Sequence, residues 1–236
     1  QLDDQQTAFK LTNESELPAE RGMGSSAATA IAIIRALFTF YHQELNQRDL
    51  LKLAALSENM IHGNPSGIDA ATTGATTPLW FVKSQPLQPL PIDLQGYLVI
   101  ADSGQKGQTG PAVKSVQNQM MSNPERTQPL ITHIGELSQA VATNIAQNQL
   151  TALGQNLSLA QDDLRALGVS NSRIDALIET ANQAGSLGTK LTGGGRGGCI
   201  IALAKTQTNA EQLAQQLRQA GAIKTWIQPL HALHTN

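Results

Sequence analysis

Seven residues, GMGSSAA (22–28), run without a break into a segment that is apolar almost all the way round, with Ala27, Ala30, Ile31, Ile33, Ile34, Leu37, Phe38 and Phe40 ahead of Tyr41. A helix of that composition is expected to be buried on most of its faces, so other elements must wrap around it. Backbone N–H groups at a helix start lack intrahelical partners and carry partial positive charge. A glycine loop feeding such a start forms an anion cradle, in which Gly22 and Gly24 admit close approach while Ser25 and Ser26 add hydroxyls for phosphate or a hard cation. The plainer alternative is that Ser25 caps the helix and the glycines allow tight packing.

Around this helix the pattern alternates between strand and helix. Residues 8–17 alternate loosely and predict a half-buried strand ended by Pro18. A second helix is predicted from Asn46 or Gln47 to His62, with Leu50, Leu53, Ala54 and Met60 inward and Gly63 as its stop. A short helix over 66–72 and strand-like TTPLWFVKS follow, and then Pro86, Pro89 and Pro91 cluster as a connection between units. Beyond it YLVIADSG reads as a strand covered on both faces. Helices are predicted at about 110–121, 125–148, 150–167 and 171–184. The chain ends as strand, glycine loop, strand (KLTGGGRGGCIIALA), helix 209–220 and strand 223–228. The fold class is α+β, with a boundary near residue 92.

Composition removes several functions. Only 14% of the 236 residues are charged and the net charge is -2, with no run of Lys and Arg, so nucleic acid is not an expected partner. The longest apolar stretch is cut by Arg35 and is too short to span a membrane, and no signal peptide opens the chain. Cys199 is alone, which suits a reducing, cytoplasmic setting.

Two other clusters carry chemistry. KLTGGGRGGC (190–199) holds five glycines in six positions between strands, a pattern that brings a backbone close to a ligand or to another backbone. ENMIHGNPSGIDAATTG (58–74) holds Ser66 and Asp69 in the S-x-x-D spacing of a capping box, which competes with a reading of Asp69 as a proton acceptor. Glu58 precedes His62 by one helical turn, and a reversal at Gly63–Pro65 could turn its carboxylate toward Asp69. A carboxylate and a serine hydroxyl suit Mg²⁺. GMGSSA also matches G-x-G-x-x-A, with Glu44 20 residues beyond Gly24, but the polar segment before it, with Pro18, lacks the buried strand that a dinucleotide fold requires. No Walker loop, zinc-protease helix or serine-hydrolase elbow occurs, and His231 and His234 read as a plain tail.

Taken in order, PAERGMGSSAA, HGNPSGID and KLTGGGRGGC resemble the GHMP family of small-molecule kinases (galactokinase, homoserine kinase, mevalonate kinase and phosphomevalonate kinase) over nearly the whole chain from Pro18. The resemblance implies an N-terminal domain related to ribosomal protein S5 domain 2 over residues 1–92, lacking its first strands, and a ferredoxin-like C-terminal domain over 93–236. It implies that Pro18, Ala19, Glu20, Arg21, Gly22, Met23, Gly24, Ser25, Ser26, Ala27 and Ala28 embrace the phosphates of ATP. Ser26 and Glu58 would hold Mg²⁺, and Asp69 would face the substrate hydroxyl. Ser66, Thr109, Gly194, Gly195 and Gly197 would lie near substrate and phosphates. HGNPSGID is most similar to the members that phosphorylate mevalonate, so the implied acceptor is its 5-hydroxyl, on the route to isoprenoids, with ATP and Mg²⁺ as cofactors. Another family kinase, or a non-catalytic nucleotide-binding fragment, is the alternative, and a homodimer stays open. Arg196 stands where the family usually has a small residue, which predicts altered charge near the phosphates. The family's first motif, with its catalytic lysine, has no counterpart here, so about 70 residues are expected upstream of Gln1 on domain size.

Overall fold

The computed structural model describes residues 9–62 and 66–231. The chain divides into two compact units: residues 24–91 with those up to Glu20 form one, and Ile92 onward with Arg21–Met23 form the other. Three residues of the first glycine loop therefore pack with the second unit, although the sequence on both sides of them packs with the first.

In the first unit, α1 (Ser25–Phe40), α2 (Gln47–His62) and α3 (Ile68–Gly74) pack about Ile31, Leu50, Ala54 and Ala70. Asn46 starts α2: its Oδ1 accepts from the Asp49 amide at 2.9 Å while its Nδ2 donates to the Asp49 carboxylate at 2.7 Å. The last carbonyl of α3, on Gly74, accepts from both Gln47 Nε2 at 3.1 Å and Arg35 Nη2 at 3.2 Å. That double contact ends the helix and ties it to α1 and α2.

Four expectations fail or fall short in this unit. Residues 9–16 form no strand and lie exposed, since loose alternation without a paired strand among the described residues buries nothing. Only Ala27 and Ile31 of α1 are buried, because α2 and α3 cover one side of it and its remaining apolar residues stay half-buried or exposed. At its end Phe40 and Tyr41 stack with Phe9 instead, at ring distances of 5.3 and 6.4 Å. Met60 is 88% exposed, not inward. The stretch TTPLWFVKS yields only β1 (Leu79–Trp80), paired antiparallel with β2 (Gln88–Pro89) inside the proline cluster.

The second unit is a four-stranded antiparallel sheet in the order β4 (Gly188–Leu191), β5 (Cys199–Ala204), β3 (Tyr97–Asp102), β6 (Lys224–Pro229). Its helices are α4 (Thr109–Ser122), α5 (Pro124–Ala146), α6 (Leu150–Ala166), α7 (Ser172–Gln183) and α8 (Gln207–Gln219). Period-two alternation sends Val99, Ala101, Ile200 and Ala202 into one core with Ile174, Leu177, Leu213 and Leu217 of α7 and α8. Each such Leu or Ile contributes about 1.5–3 kcal/mol over an exposed one. Leu98 and Leu203, from the opposite face, join Leu153 and Leu157 of α6.

The α6 helix also closes the edge of the sheet at β4. The Leu191 amide, which has no strand partner, donates to the Gln161 side chain at 2.9 Å, and Gln161 is only 1% exposed. A Cβ on Gly188 would lie 1.8 Å from the Gly154 carbonyl oxygen, so this approach requires glycine at both positions.

Candidate active site

Helices α5, α7 and α8 begin with side-chain caps from Asn123, Asn171 and Thr206. α1 and α3 do not. Gly24 and Gly67 stand at their cap positions in the left-handed conformation, at φ 67° and 81°, and have no side chain with which to cap. The first intrahelical bond of α1 runs from the Ala28 N–H to the Gly24 carbonyl at 2.8 Å, leaving the amides of Ser25, Ser26 and Ala27 ahead of it. The capping role considered for Ser25 is thus not taken up, and neither is the Ser66–Asp69 box: Ser66 Oγ accepts from the Ile68 amide at 3.4 Å instead. A glycine in the cap position turns the chain into the helix without supplying an acceptor to its first amides, which leaves the start of α1 accessible.

Asp69 lies beside that start. A Cβ built on Gly24 would stand 3.9 Å from Asp69 Cβ, 4.0 Å from its carboxyl carbon and 3.3 Å from Thr73 Oγ1. The first turn of α3 therefore brings an exposed carboxylate against the cap of α1. Ser26 is exposed in the first turn of α1, whereas Glu58 on α2 is only 4% exposed. Gly63–Pro65, where a chain reversal was expected, lie outside the described residues, as does His234.

In the second unit, each glycine of the loop 193–198 has a neighbour where a side chain would go. A Cβ would meet the Gly22 Cα at 2.8 Å from Gly193, Thr109 Oγ1 at 2.3 Å from Gly194 and the Val169 oxygen at 2.2 Å from Gly195. From Gly197 it would meet the Lys106 oxygen at 2.2 Å, and from Gly198 the Arg21 oxygen at 2.7 Å. Backbone at residues 21–22, 106 and 169 is thus one neighbour of this loop. Among the described residues the amides of Gly193, Gly194 and Gly197 have no protein acceptor. Thr109, the exposed first residue of α4, packs on Gly194, which unites two of the substrate-side positions.

The Arg196 side chain has partners within the protein. Its Nε donates to the Gly168 carbonyl at 3.1 Å and its Nη2 to Ser115 Oγ at 2.9 Å, so the guanidinium is engaged by the α6–α7 turn and α4. His231 is no plain tail, because its ring stands edge-on to Tyr97 at 5.9 Å.

Sequence reasoning gave no role to Asp102. Its carboxylate, at the end of β3, meets Arg21 Nε at 2.9 Å through Oδ1, which also accepts from the Gly104 amide at 2.8 Å. Arg21 and Asp102 stand 81 positions apart, so no local pattern could have paired them. Across the ladder from Asp102, burial and the Asp102 carboxylate push the Cys199 thiol up to about 12, with Arg21 acting against them. Cys199 is therefore an inert thiol and not a nucleophile.

Comparison with known proteins places the geometry. Residues 1–75 match the GHMP kinases N terminal domain and residues 141–223 the GHMP kinases C terminal model. A mevalonate kinase of Pyrococcus horikoshii is 32% identical over 225 residues, covering 93% of this chain and 66% of that protein. The crystal structure of mevalonate kinase from methicillin-resistant Staphylococcus aureus superposes with a TM-score of 0.73 at 33% identity, over 92% of this chain and 70% of that one. L. major mevalonate kinase, crystallised with R-mevalonate, gives a TM-score of 0.82 at 25% identity, over 89% and 67%. The chain spans just under two thirds of the length of the curated relatives it matches. With both of the family's domain models matched, and with a solved relative sharing a third of its residues over most of this chain, the protein belongs to the GHMP kinase family.

Proposed function

We propose that the protein is a mevalonate kinase that transfers the γ-phosphoryl group of ATP to the 5-hydroxyl of mevalonate, in a cytoplasmic step toward isoprenoids. The observation that carries this reading is the Asp69 carboxylate beside the uncapped start of α1. Phosphoryl transfer asks a protein chiefly for positioning and for neutralisation of charge. The amides of Ser25, Ser26 and Ala27, with the positive end of the α1 dipole, suit the anionic phosphates. An exposed carboxylate at that place can accept the proton of an attacking hydroxyl. A buried acid at Glu58 and a first-turn hydroxyl at Ser26 are hard oxygen donors of the kind Mg²⁺ takes, and such an ion, when bound, supplies further neutralisation of the phosphates.

The test is the Asp69→Asn variant of the full-length protein, assayed with ATP, Mg²⁺ and mevalonate. Turnover is expected to fall by about 10²–10⁴. Stability should change by less than about 1 kcal/mol, because Asp69 is exposed and neither caps α3 nor belongs to a core. A variant that keeps its activity while losing stability returns Asp69 to a structural role. No ADP from the parent protein ends the kinase reading, and calorimetric titration with ATP then tests a nucleotide-binding module instead.

A further inference from the structure

The residues 20–24 take an unusual path. Glu20, Gly22 and Gly24 all have positive φ, at 57°, 73° and 67°, and the chain between them packs with the second unit. Glycine permits such a path without dictating it, so contacts must fix the course of the chain here. Three contacts do so, and Arg21 makes two of them. Its carbonyl accepts from the Cys199 amide at 3.2 Å, at the start of β5. Its guanidinium reaches the end of β3, with Nε 2.9 Å from Asp102 Oδ1 and 3.2 Å from Oδ2 and with Nη2 donating to the Gly104 carbonyl at 3.2 Å. The third contact is Gly22 on Gly193, where either glycine's missing Cβ would come within 3.0 Å of the other's Cα.

This ion pair is poorly suited to a role in stability alone. Asp102 is 5% exposed as a side chain and Arg21 15%, and the Arg21 Nη1 atom is buried with no hydrogen-bond partner. Desolvation offsets most of the attraction in such pairs, and a fully apolar replacement is often as stable. The pair does provide direction. A planar guanidinium that grips a carboxylate through Nε and a carbonyl through Nη2 fixes the orientation of its own backbone, which an ammonium cannot do.

We propose that Arg21 is a positioning residue for phosphoryl transfer, acting through Asp102 to hold residues 21–23 against the second glycine loop and so to set the course on which the chain enters Gly24, the cap of α1. The inference rests on the kinase reading above. In it the Arg21 side chain turns away from the nucleotide, and the ion pair aligns the amides that receive the phosphates.

The experiment compares the parent, Arg21→Gln, Arg21→Lys, Asp102→Asn and the Arg21→Gln/Asp102→Asn double variant in the full-length protein, with steady-state kinetics in both substrates and thermal unfolding. Displacement of a substrate-positioning loop by about 1 Å costs up to about 10²-fold. Arg21→Gln and Asp102→Asn are each expected to raise the KM for ATP about tenfold or more, with the KM for mevalonate within about twofold of the parent. The double variant should be no worse than the poorer single one, as the two residues act as one unit. Arg21→Lys should recover only part of the loss while unfolding at the parent's temperature. An active parent whose Arg21→Lys and Asp102→Asn variants bind ATP as it does overturns this inference alone. Loss that follows unfolding temperature in every variant, with both KM values moving together, also overturns it. A parent without turnover overturns the kinase reading, and this inference with it.

Discussion

A methyl group placed on Gly197 lands 2.2 Å from a carbonyl oxygen, whereas one placed on Gly67 meets nothing within 4 Å among the described residues. Both glycines have positive φ, 138° and 81°, and both lie in segments that read as ligand loops in the sequence. The difference separates two uses of glycine. In the loop 193–198 the missing side chain lets backbone lie against backbone, so glycine there is a packing residue. At the starts of α1 and α3 it permits a left-handed cap, so glycine there is a conformational residue, with open space at Gly67 among the described residues and Thr73 Oγ1 3.3 Å from where a Cβ of residue 24 would sit. The segment with more glycines is the one filled by the protein itself. The sparser one borders Asp69.

The largest consequence concerns the packed loop. Gly197→Ala adds an overlap with backbone that no side-chain rotation relieves to a strained φ, and it is expected to cost about 4 kcal/mol or more, enough to unfold much of the second unit. Urea denaturation followed by circular dichroism measures this. If Gly197→Ala unfolds like the parent, the loop is held more loosely than described, and the contrast with Gly67 collapses.

The strand leading into that loop supplies a pH-dependent effect of intermediate size. Lys190 on β4 shares its row of the sheet with Ile201, Ile100 and Trp226, and among the described residues its ammonium donates only to the Leu191 carbonyl, at 2.6 Å. Burial lowers its pKa from 10.5 to about 8. Below about pH 8 the folded and unfolded chains both carry the proton, and the folded state bears the full cost of the buried charge. Between about 8 and 10.5 the unfolded chain binds more protons, so stability rises with pH and the penalty is relieved. Lys190→Met should therefore stabilise the protein at pH 7, by up to about 3 kcal/mol at about 1.4 kcal/mol per pKa unit. The gain should shrink as the pH approaches 10. An advantage independent of pH would mean that Met simply packs better.

The same contrast marks what could be read from residue order. The helices of the second unit lie within about two residues of their expected ends, because long apolar periodicity and Asn or Thr caps are local signals. The glycine loop between β4 and β5 was legible as a close approach of backbone, but the partners are 21–22, 106, 109 and 169, which only the tertiary fold brings there. Burial was less legible than helicity: α1 forms as its composition predicts, yet what covers it is a property of the fold and not of the helix. The two serine caps failed for a related reason, since Gly24 and Gly67 and not serines take the cap positions, at positive φ, and the Ser66 hydroxyl goes to the Ile68 amide instead of the Asp69 amide. Asp69 and Gly24, 45 positions apart, are brought together by the packing of α3 on α1, which neither segment shows by itself. The Arg21–Asp102 brace had no signal in either segment.

The smallest effect tests the conformational half of the comparison most directly. If Gly67 is required only for its φ of 81°, then Ala at that position pays the left-handed penalty of about 1–2 kcal/mol and nothing more. Asn, which is larger but tolerates the left-handed region, should cost less than Ala. Crowding would give the reverse order, because the bulkier Asn would then be the worse of the two. At Gly197, where crowding dominates, Asn should indeed be no better than Ala. Measured by chemical denaturation, the order Gly67→Asn milder than Gly67→Ala, with no such rescue at Gly197, supports the division between the two kinds of glycine, and the opposite order at Gly67 breaks it. Gly67 precedes Asp69 by two residues, so the same variants report on the site. A cap that keeps its φ with Asn keeps the carboxylate in place, and turnover should follow the same order as stability.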